Sequence, residues 1–166
     1  MPDFLPWHVL DTNVLIDLDR GALLEALFAL PLTFVAPDVL IAELESPGGR
    51  QLVDRGLRSM TLIGAEVVEV MDLAARYLAP SINDLFALVL ARGMGLTLLT
   101  GDRALRQLAG SQGVSVHGTL WLMDELVRQA VITPMEAAEA LERMLESGRR
   151  LPEAECRARL RRWGSG

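Results

Sequence analysis

Lysine is absent from this chain of 166 residues, and all 16 of its basic residues are arginine. This absence excludes P-loop nucleotide binding, Schiff-base chemistry and receiver-type aspartate pockets, because each of these sites depends on a lysine amine. The only cysteine, Cys156, has no partner for a disulfide and no histidine or cysteine at zinc-like spacing. Structural zinc and redox motifs are therefore excluded as well, and we expect a reducing compartment.

The sequence also lacks an uninterrupted hydrophobic run, although 51% of its residues are hydrophobic and the mean hydropathy is +0.28. A membrane-spanning helix needs about 20 largely apolar residues. The most apolar stretch, residues 23–42, is interrupted by Glu25, Pro31, Pro37 and Asp38. The N-terminus shows no basic region before an apolar run and no small-residue cleavage site, so we predict no signal peptide, a cytoplasmic location and no membrane partner.

Positive charge is scarce in most of the chain and concentrated near its C-terminus. Residues 1–148 carry 10 arginines against 20 acidic residues, a net charge of -10, whereas residues 149–166 carry 6 arginines against 2 acidic residues, a net charge of +4. Phosphate binding normally requires a basic patch. If nucleic acid is the partner, deletion of residues 149–166 should reduce the salt dependence of binding. A solvated helix face explains these arginines equally well: Arg149, Arg150, Arg157, Arg159, Arg161 and Arg162.

Predicted strands and helices alternate along the first two thirds of the chain. From Thr119 onward the hydrophobic periodicity is helical only. This order predicts an α/β fold, a parallel sheet flanked by helices, with an α-helical, Arg-rich C-terminal extension; we place the main domain at 1–130 and the extension at 131–166. The predicted strands are 7–10, 32–35, one or two within 60–70, 96–99 and 114–116, and the later helices are 71–78, 82–93, 102–109, 120–129, 134–147 and 152–162.

Acidic residues follow two of the predicted strands within one to three residues. Asp11 comes after the strand that ends at Leu10, and Asp102 comes shortly after the strand that ends at Leu99. The carboxyl ends of parallel strands form one edge of a sheet, and this edge is where open α/β sheets bind ligands. Asp84 begins a later helix within reach of the same edge. The spacing therefore predicts a cluster of carboxylates there.

Each of these aspartates, taken alone, is more simply explained as a helix cap. Ser81 and Asp84 have the spacing of a capping box, in which the two residues satisfy each other's backbone amides. Glu43 differs, because it lies on an apolar helix face beside Leu40 and Leu44, where it has no capping role. We expect it to be a buried carboxylate that needs a partner.

The remaining acids and both histidines are predicted to be structural. Asp17 and Asp19 are expected to face solvent near a helix end, and Asp38 is expected to begin a helix. Glu45 points away from Glu43 by helix geometry. No serine or cysteine has the spacing that would pair it with a histidine in a catalytic triad, so the two histidines are interpreted as satisfied strand residues: His8 and His117.

Four segments of the chain, in order, resemble the motifs of the PIN domain family, which includes the endonuclease toxins of toxin-antitoxin pairs. The resemblance covers roughly residues 7–118 and implies a PIN-like α/β fold. It also implies a Mg²⁺- or Mn²⁺-binding pocket in a ribonuclease, formed by Asp11, Glu43, Asp84 and Asp102. Supporting polar groups would be Thr12, Asn13, Ser81 and Thr100, and RNA contacts would be Arg103, Arg149 and Arg150. The segments are residues 9–17, 36–44, 81–85 and 98–105.

Clustered carboxylates suit this chemistry, because they repel one another until a proton or a cation neutralises them, and oxygen ligands favour Mg²⁺ or Mn²⁺. A bound ion can activate water without a side-chain nucleophile. The last motif lacks the further acid of some family members, because Asp102 is followed by Arg103, which leaves the number of ions open. The implied partners are RNA and, for a toxin, an antitoxin protein; the apolar composition is also compatible with a homodimer.

Two alternatives remain open at this point. A PIN-like scaffold without catalytic activity would serve as a binding module, and a metal-dependent cleavage assay separates it from a nuclease. A phosphatase of the haloacid dehalogenase type also has an aspartate after its first strand. It needs a second aspartate two residues later, where this chain has Asn13.

Overall fold

A computed structural model describes residues 5–164 as five parallel strands flanked by helices. The strands form one sheet in the order β3-β2-β1-β4-β5, so the first strand of the chain is central. Val9 of β1 pairs with Val35 of β2 on one side and with Leu98 of β4 on the other. The strands are β1 (Trp7–Leu10), β2 (Thr33–Pro37), β3 (Arg58–Met60), β4 (Thr97–Leu99) and β5 (Val116–His117).

The helices lie on both faces of the sheet, as expected when parallel strands are joined by crossover connections. Within residues 5–164 they are α1 (Thr12–Arg20), α2 (Leu24–Ala29), α3 (Asp38–Glu43), α4 (Gly49–Arg55), α5 (Ala65–Arg76), α6 (Ile82–Met94), α7 (Arg103–Ser111), α8 (Thr119–Arg128), α9 (Pro134–Glu146) and α10 (Glu153–Gly164). No helix in this part of the chain is both long enough and apolar enough to cross a membrane.

Each face of the sheet has its own hydrophobic core, because successive residues of a strand point to opposite faces. Leu10 and Phe34 pack with α1, α2 and the three C-terminal helices. Val9 and Val35 pack on the other face with α5, α6 and α7. The strands are buried on both faces and so carry continuous apolar sequence, which is why β1 and β4 were predicted correctly to within one residue.

The strand prediction for residues 60–70 was wrong beyond Met60. Strand β3 ends at Met60, and helix α5 already begins at Ala65. Val70 and Leu73 are the buried residues of that helix, three positions apart, which is helical periodicity. The adjacent Val67 and Val68 suggested a strand because β-branched residues favour strands, but packing against the sheet determined the structure instead.

The predicted C-terminal helices are present, and they pack against the sheet core rather than standing apart from it. Met144 of α9 and both Cys156 and Trp163 of α10 belong to the same buried cluster as Leu10. Gly21, at the end of α1, lies so close to α9 that a Cβ there would be 2.5 Å from the Met144 side chain. The division of the chain at residue 130 stays a prediction.

A second close approach, at Gly49, provides a test of the fold. A Cβ on Gly49 would lie 2.0 Å from the backbone oxygen of Ile41, so α3 and α4 could not keep their separation. We expect Gly49→Ala to lower the free energy of unfolding by about 3 kcal/mol, measured by urea denaturation. Gly110→Ala is the matched control, because no atom lies within 4 Å of the added methyl group. Equal midpoints for Gly49→Ala and the wild type would contradict this packing.

Candidate active site

Asp11 lies at the carboxyl end of the central strand and is 0% exposed. Its backbone amide donates to Leu99 O at 2.9 Å, which fixes it beside β4. The Thr100 hydroxyl donates to Asp11 Oδ2 at 2.8 Å, and the Thr12 hydroxyl donates to Oδ1 at 3.4 Å. Asp11 occupies the N-cap position of α1, but its side chain makes no capping hydrogen bond. The capping explanation therefore fails for this residue.

Asp84 and Asp102, by contrast, do cap helices. Asp84 Oδ2 accepts from the Ser81 amide at 2.9 Å while Ser81 Oγ accepts from the Asp84 amide at 3.1 Å, which confirms the predicted capping box. Asp102 Oδ1 accepts from the Leu105 amide at 2.8 Å. Each cap uses one oxygen of its carboxylate, and the second oxygen of each takes no part in the cap.

The Thr100 hydroxyl connects two of these acids. It donates to Asp11 Oδ2 and accepts from the backbone amide of Asp102 at 3.1 Å. Thr100 is itself 0% exposed. One buried side chain therefore fixes both the orientation of the central carboxylate and the path of the loop that carries Asp102.

The pKa values of Asp11 and Asp84 are both raised above the ordinary value of an aspartate. The pKa of Asp11 rises from 3.8 to about 6, first because burial disfavours its charge and then because Asp84 and, more weakly, Asp102 repel it; the Thr100 hydrogen bond opposes this rise. Burial also raises the pKa of Asp84, and Asp102 adds to that effect. Asp11, Asp84 and Asp102 therefore form one electrostatically coupled group, which we call the acidic group.

The structure places Glu43 at the margin of this group, and the prediction that it is buried was wrong. Glu43 is the last residue of α3, and its side chain is exposed. Its carboxylate accepts a hydrogen bond from the side-chain amide of Asn83, the residue that precedes Asp84. The short helix α3 ends at Glu43, so the apolar face expected to bury it does not continue.

Asp17 was predicted to face solvent, and this prediction was also wrong. It is only 4% exposed, and its carboxylate accepts from Arg149 Nε at 2.6 Å and from Thr119 Oγ1 at 2.7 Å. Arg149 Nη2 also donates to Asn13 O at 3.4 Å. A signal was present in the sequence, because Asp17 lies on the helix face of the buried Val14 and Leu18.

Several C-terminal arginines are thus committed to partners within the protein. Arg149 is held by Asp17, and Arg159 and Arg162 both bind Asp124, at 2.7 Å each. Among residues 5–164, neither Arg103 nor Arg150 forms an ion pair, and both are exposed. Only these two of the three arginines predicted to contact RNA remain free to do so.

Arg103 and Arg150 line a surface depression of about 570 Å³, which we call the arginine cleft. Its wall also includes Asn13, Asp102 and Arg149. The cleft therefore joins one acid of the cluster to two uncommitted guanidinium groups. The Asp102 carboxylate repels a phosphate in the cleft, so a cation bound there would strengthen the binding of an anionic polymer to the two guanidinium groups.

The donor chemistry of the acidic group suits a hard divalent cation, because Asp11, Asp84 and Asp102 offer only oxygen ligands and repel one another. In the part of the chain that the structure describes, no three histidine, cysteine or acidic side chains are already arranged around one point as a metal site. Binding one ion on all three carboxylates therefore requires their side chains to move.

Comparison with known proteins agrees with the fold. A sequence profile described as PIN domain matches residues 7–165. No curated protein sequence matches the chain. Among solved structures, the fold is similar to a PilT N-terminus domain protein from the hyperthermophilic archaeon Sulfolobus solfataricus, with a TM-score of 0.50 and 14% identity over 73% of this chain and 93% of that one.

Proposed function

Because the chain belongs to the PIN domain family, a family of nuclease-type domains, we propose that it is a metal-dependent endoribonuclease that hydrolyses RNA phosphodiester bonds. The observation that carries this proposal is Asp11. Its carboxylate is fully buried and has no capping role, and its pKa is about 6 because of burial first and of two nearby carboxylates second. Such a group weakens the fold unless it serves a ligand.

In the proposed site, Asp11, Asp84 and Asp102 hold Mg²⁺ or Mn²⁺, and Glu43 is the fourth acid, positioned through Asn83. A bound ion would supply an activated water and offset the charge that develops on the phosphate oxygens. Thr12 and Thr100 orient the Asp11 carboxylate, and Ser81 orients that of Asp84. No step requires a nucleophilic side chain.

A cleavage assay tests this function directly. The purified protein is incubated with labelled single-stranded RNA in MgCl₂, in MnCl₂ or in excess EDTA. We expect cleavage with either metal and none with EDTA, with no covalent protein-RNA intermediate trapped on denaturation. Absence of cleavage in both metals would favour the alternative, a non-catalytic binding module, which draws support from the lack of a preformed metal site in residues 5–164.

We further propose that this nuclease is the toxin of a toxin-antitoxin pair. The proposal rests on the opening motif, residues 9–17, in which Asp11 begins the helix that also carries Asp17. A toxin should arrest growth when its expression is induced, and an antitoxin encoded next to it should relieve the arrest. The matched control is the Asp11→Asn protein, which should not arrest growth at the same expression level.

Arg103 and Arg150 are the proposed phosphate contacts of the arginine cleft. Removing one phosphate contact lowers the salt dependence of binding by about one counterion. We therefore expect Arg103→Ala and Arg150→Ala each to reduce the slope of log Kd against log salt by about 0.7 for single-stranded RNA. Arg157→Ala is the control, because Arg157 pairs with Glu153 on an exposed helix face. If Arg103→Ala and Arg150→Ala show the same slope as the control Arg157→Ala, the arginine cleft is excluded as the binding surface.

A further inference from the structure

A smaller cavity, of about 200 Å³, adjoins the arginine cleft and is lined by aromatic rings and arginines. We call it the aromatic cavity. Its wall includes His117, Trp121 and Arg106, and it shares Gly101 and Arg150 with the arginine cleft. A ligand that lies along the cleft beside Asp102 can therefore extend into the aromatic cavity without crossing other parts of the surface.

The position of His117 follows from the sheet. His117 is the last residue of β5, which pairs with β4, so its side chain lies near the same sheet edge as Asp11 and Asp102. The backbone amide of Thr100 donates to His117 O at 2.9 Å. Thr100, which orients Asp11, is thus hydrogen-bonded to His117, which lines the aromatic cavity.

The aromatic rings at this cavity form a stack. The His117 and Trp121 rings are parallel within 7°, with centroids 4.3 Å apart, and His8 packs on Trp121 at 5.6 Å. His8 is only 8% exposed and does not line the cavity, whereas His117 is partly exposed and does. The stack therefore runs from the protein interior to a histidine ring at the cavity wall.

Positive charge accompanies the rings. Arg106 lies over the end of β5, and Gly118 allows this approach, because a Cβ on Gly118 would be 3.2 Å from Arg106 Nη1. Arg106 and Arg150 are both exposed, and neither forms an ion pair with another residue of the described range 5–164. Planar rings beside guanidinium groups are the combination that binds a base together with its phosphate in single-stranded nucleic acid.

The geometry points to a nucleobase-binding subsite in the aromatic cavity: a base of single-stranded RNA next to the cleaved phosphate stacks on His117, while Arg106 and Arg150 bind its phosphate. This inference rests on the proposed ribonuclease function and specifies its substrate as RNA with unpaired bases. Trp121 holds the His117 ring in place by stacking on it, and His117 provides the contact surface for the base.

The test compares two fluorescein-labelled oligomers in EDTA, where no hydrolysis occurs: a dodecamer of adenylate and a ribose-phosphate dodecamer without bases. Stacking of one base contributes about 1–3 kcal/mol, so we expect wild-type protein to bind the adenylate oligomer about tenfold more tightly. His117→Leu introduces an apolar side chain of similar size that cannot stack on a base, and it should remove this preference while leaving the affinity for the abasic oligomer unchanged. His117→Phe should restore the preference.

The outcomes separate the subsite from the proposed function. Equal affinity of wild-type protein for both oligomers, or a preference that survives in His117→Leu, would overturn the subsite and leave RNA cleavage unaffected. Failure of wild-type protein to bind either oligomer in EDTA would also overturn the subsite, whereas the proposed function is decided by the separate cleavage assay in MgCl₂ and MnCl₂. If His117→Leu does not fold, His117→Phe decides: it should prefer the adenylate oligomer as the wild type does, and equal affinity of folded His117→Phe for both oligomers would overturn the subsite.

Discussion

Asp11→Asn should reduce metal-dependent RNA cleavage by at least about a thousandfold while the protein stays folded. Asparagine keeps one carbonyl oxygen to accept the Thr100 hydroxyl bond but loses the negative charge that would hold the cation. Asp54→Asn is the matched control, because Asp54 is exposed on α4, far along the chain from the acidic group. It should retain wild-type activity.

The same substitution should stabilise the metal-free protein at neutral and higher pH. A pKa of about 6 against the ordinary 3.8 corresponds to about 3 kcal/mol of lost stability once Asp11 is ionised. The new amide must find a partner in a buried site, which costs about 1 kcal/mol. We therefore expect Asp11→Asn to be more stable than the wild type by about 2 kcal/mol at pH 8, measured by urea denaturation in EDTA.

The sign of the pH dependence follows from the direction of the shift. Because the folded protein binds the Asp11 proton more tightly than the unfolded chain does, this group favours folding below pH 3.8, and the contribution is lost as the pH rises through about 6. The stability difference between Asp11→Asn and wild type should therefore grow between pH 4 and pH 7. Added Mn²⁺ should raise the Tm of the wild type and not that of the variant. A fully active, Mn²⁺-responsive Asp11→Asn protein would contradict the proposed site.

The sequence allowed the acidic group to be predicted because its members are fixed by local features that recur at strand ends. Asp11 and Asp102 follow buried strands, whose apolar sequence is visible without a structure, and the capping box of Asp84 is a pattern of four residues. Parallel pairing then brings the ends of β1 and β4 together. Only this pairing joins distant parts of the chain, and a parallel sheet places the carboxyl ends of its strands at one edge whichever strands are neighbours.

The predictions that failed depended on element length or on distant partners. Glu43 was expected to be buried because α3 was expected to continue, but this helix ends at Glu43 itself. Asp17 is buried because Arg149 and Thr119, which lie more than 100 positions later in the chain, neutralise and bind it. Hydrophobic periodicity describes one helix at a time and carries no information about such partners.

Arg149→Ala should be the most destabilising single substitution among the C-terminal arginines. It leaves the Asp17 carboxylate, 4% exposed, without its cation, and breaking a buried ion pair by removing one partner costs about 3 kcal/mol. Arg157→Ala, which breaks an exposed pair with Glu153, should change the free energy of unfolding by less than about 0.5 kcal/mol. Urea denaturation of both variants at pH 7 measures the difference.

A second substitution distinguishes the ion pair from other effects of losing Arg149. Replacing Asp17 as well, in Arg149→Ala with Asp17→Asn, removes the uncompensated charge, and the double variant should therefore be more stable than Arg149→Ala alone. A double variant that loses the full sum of both single effects would show that Asp17 and Arg149 do not act as a pair.

The result also bears on deletion of residues 149–166, which removes Arg149 together with the buried Cys156 and Trp163. We expect that deletion to unfold the core that α10 shares with α1, so the salt dependence of RNA binding has to be tested by single substitutions in the arginine cleft.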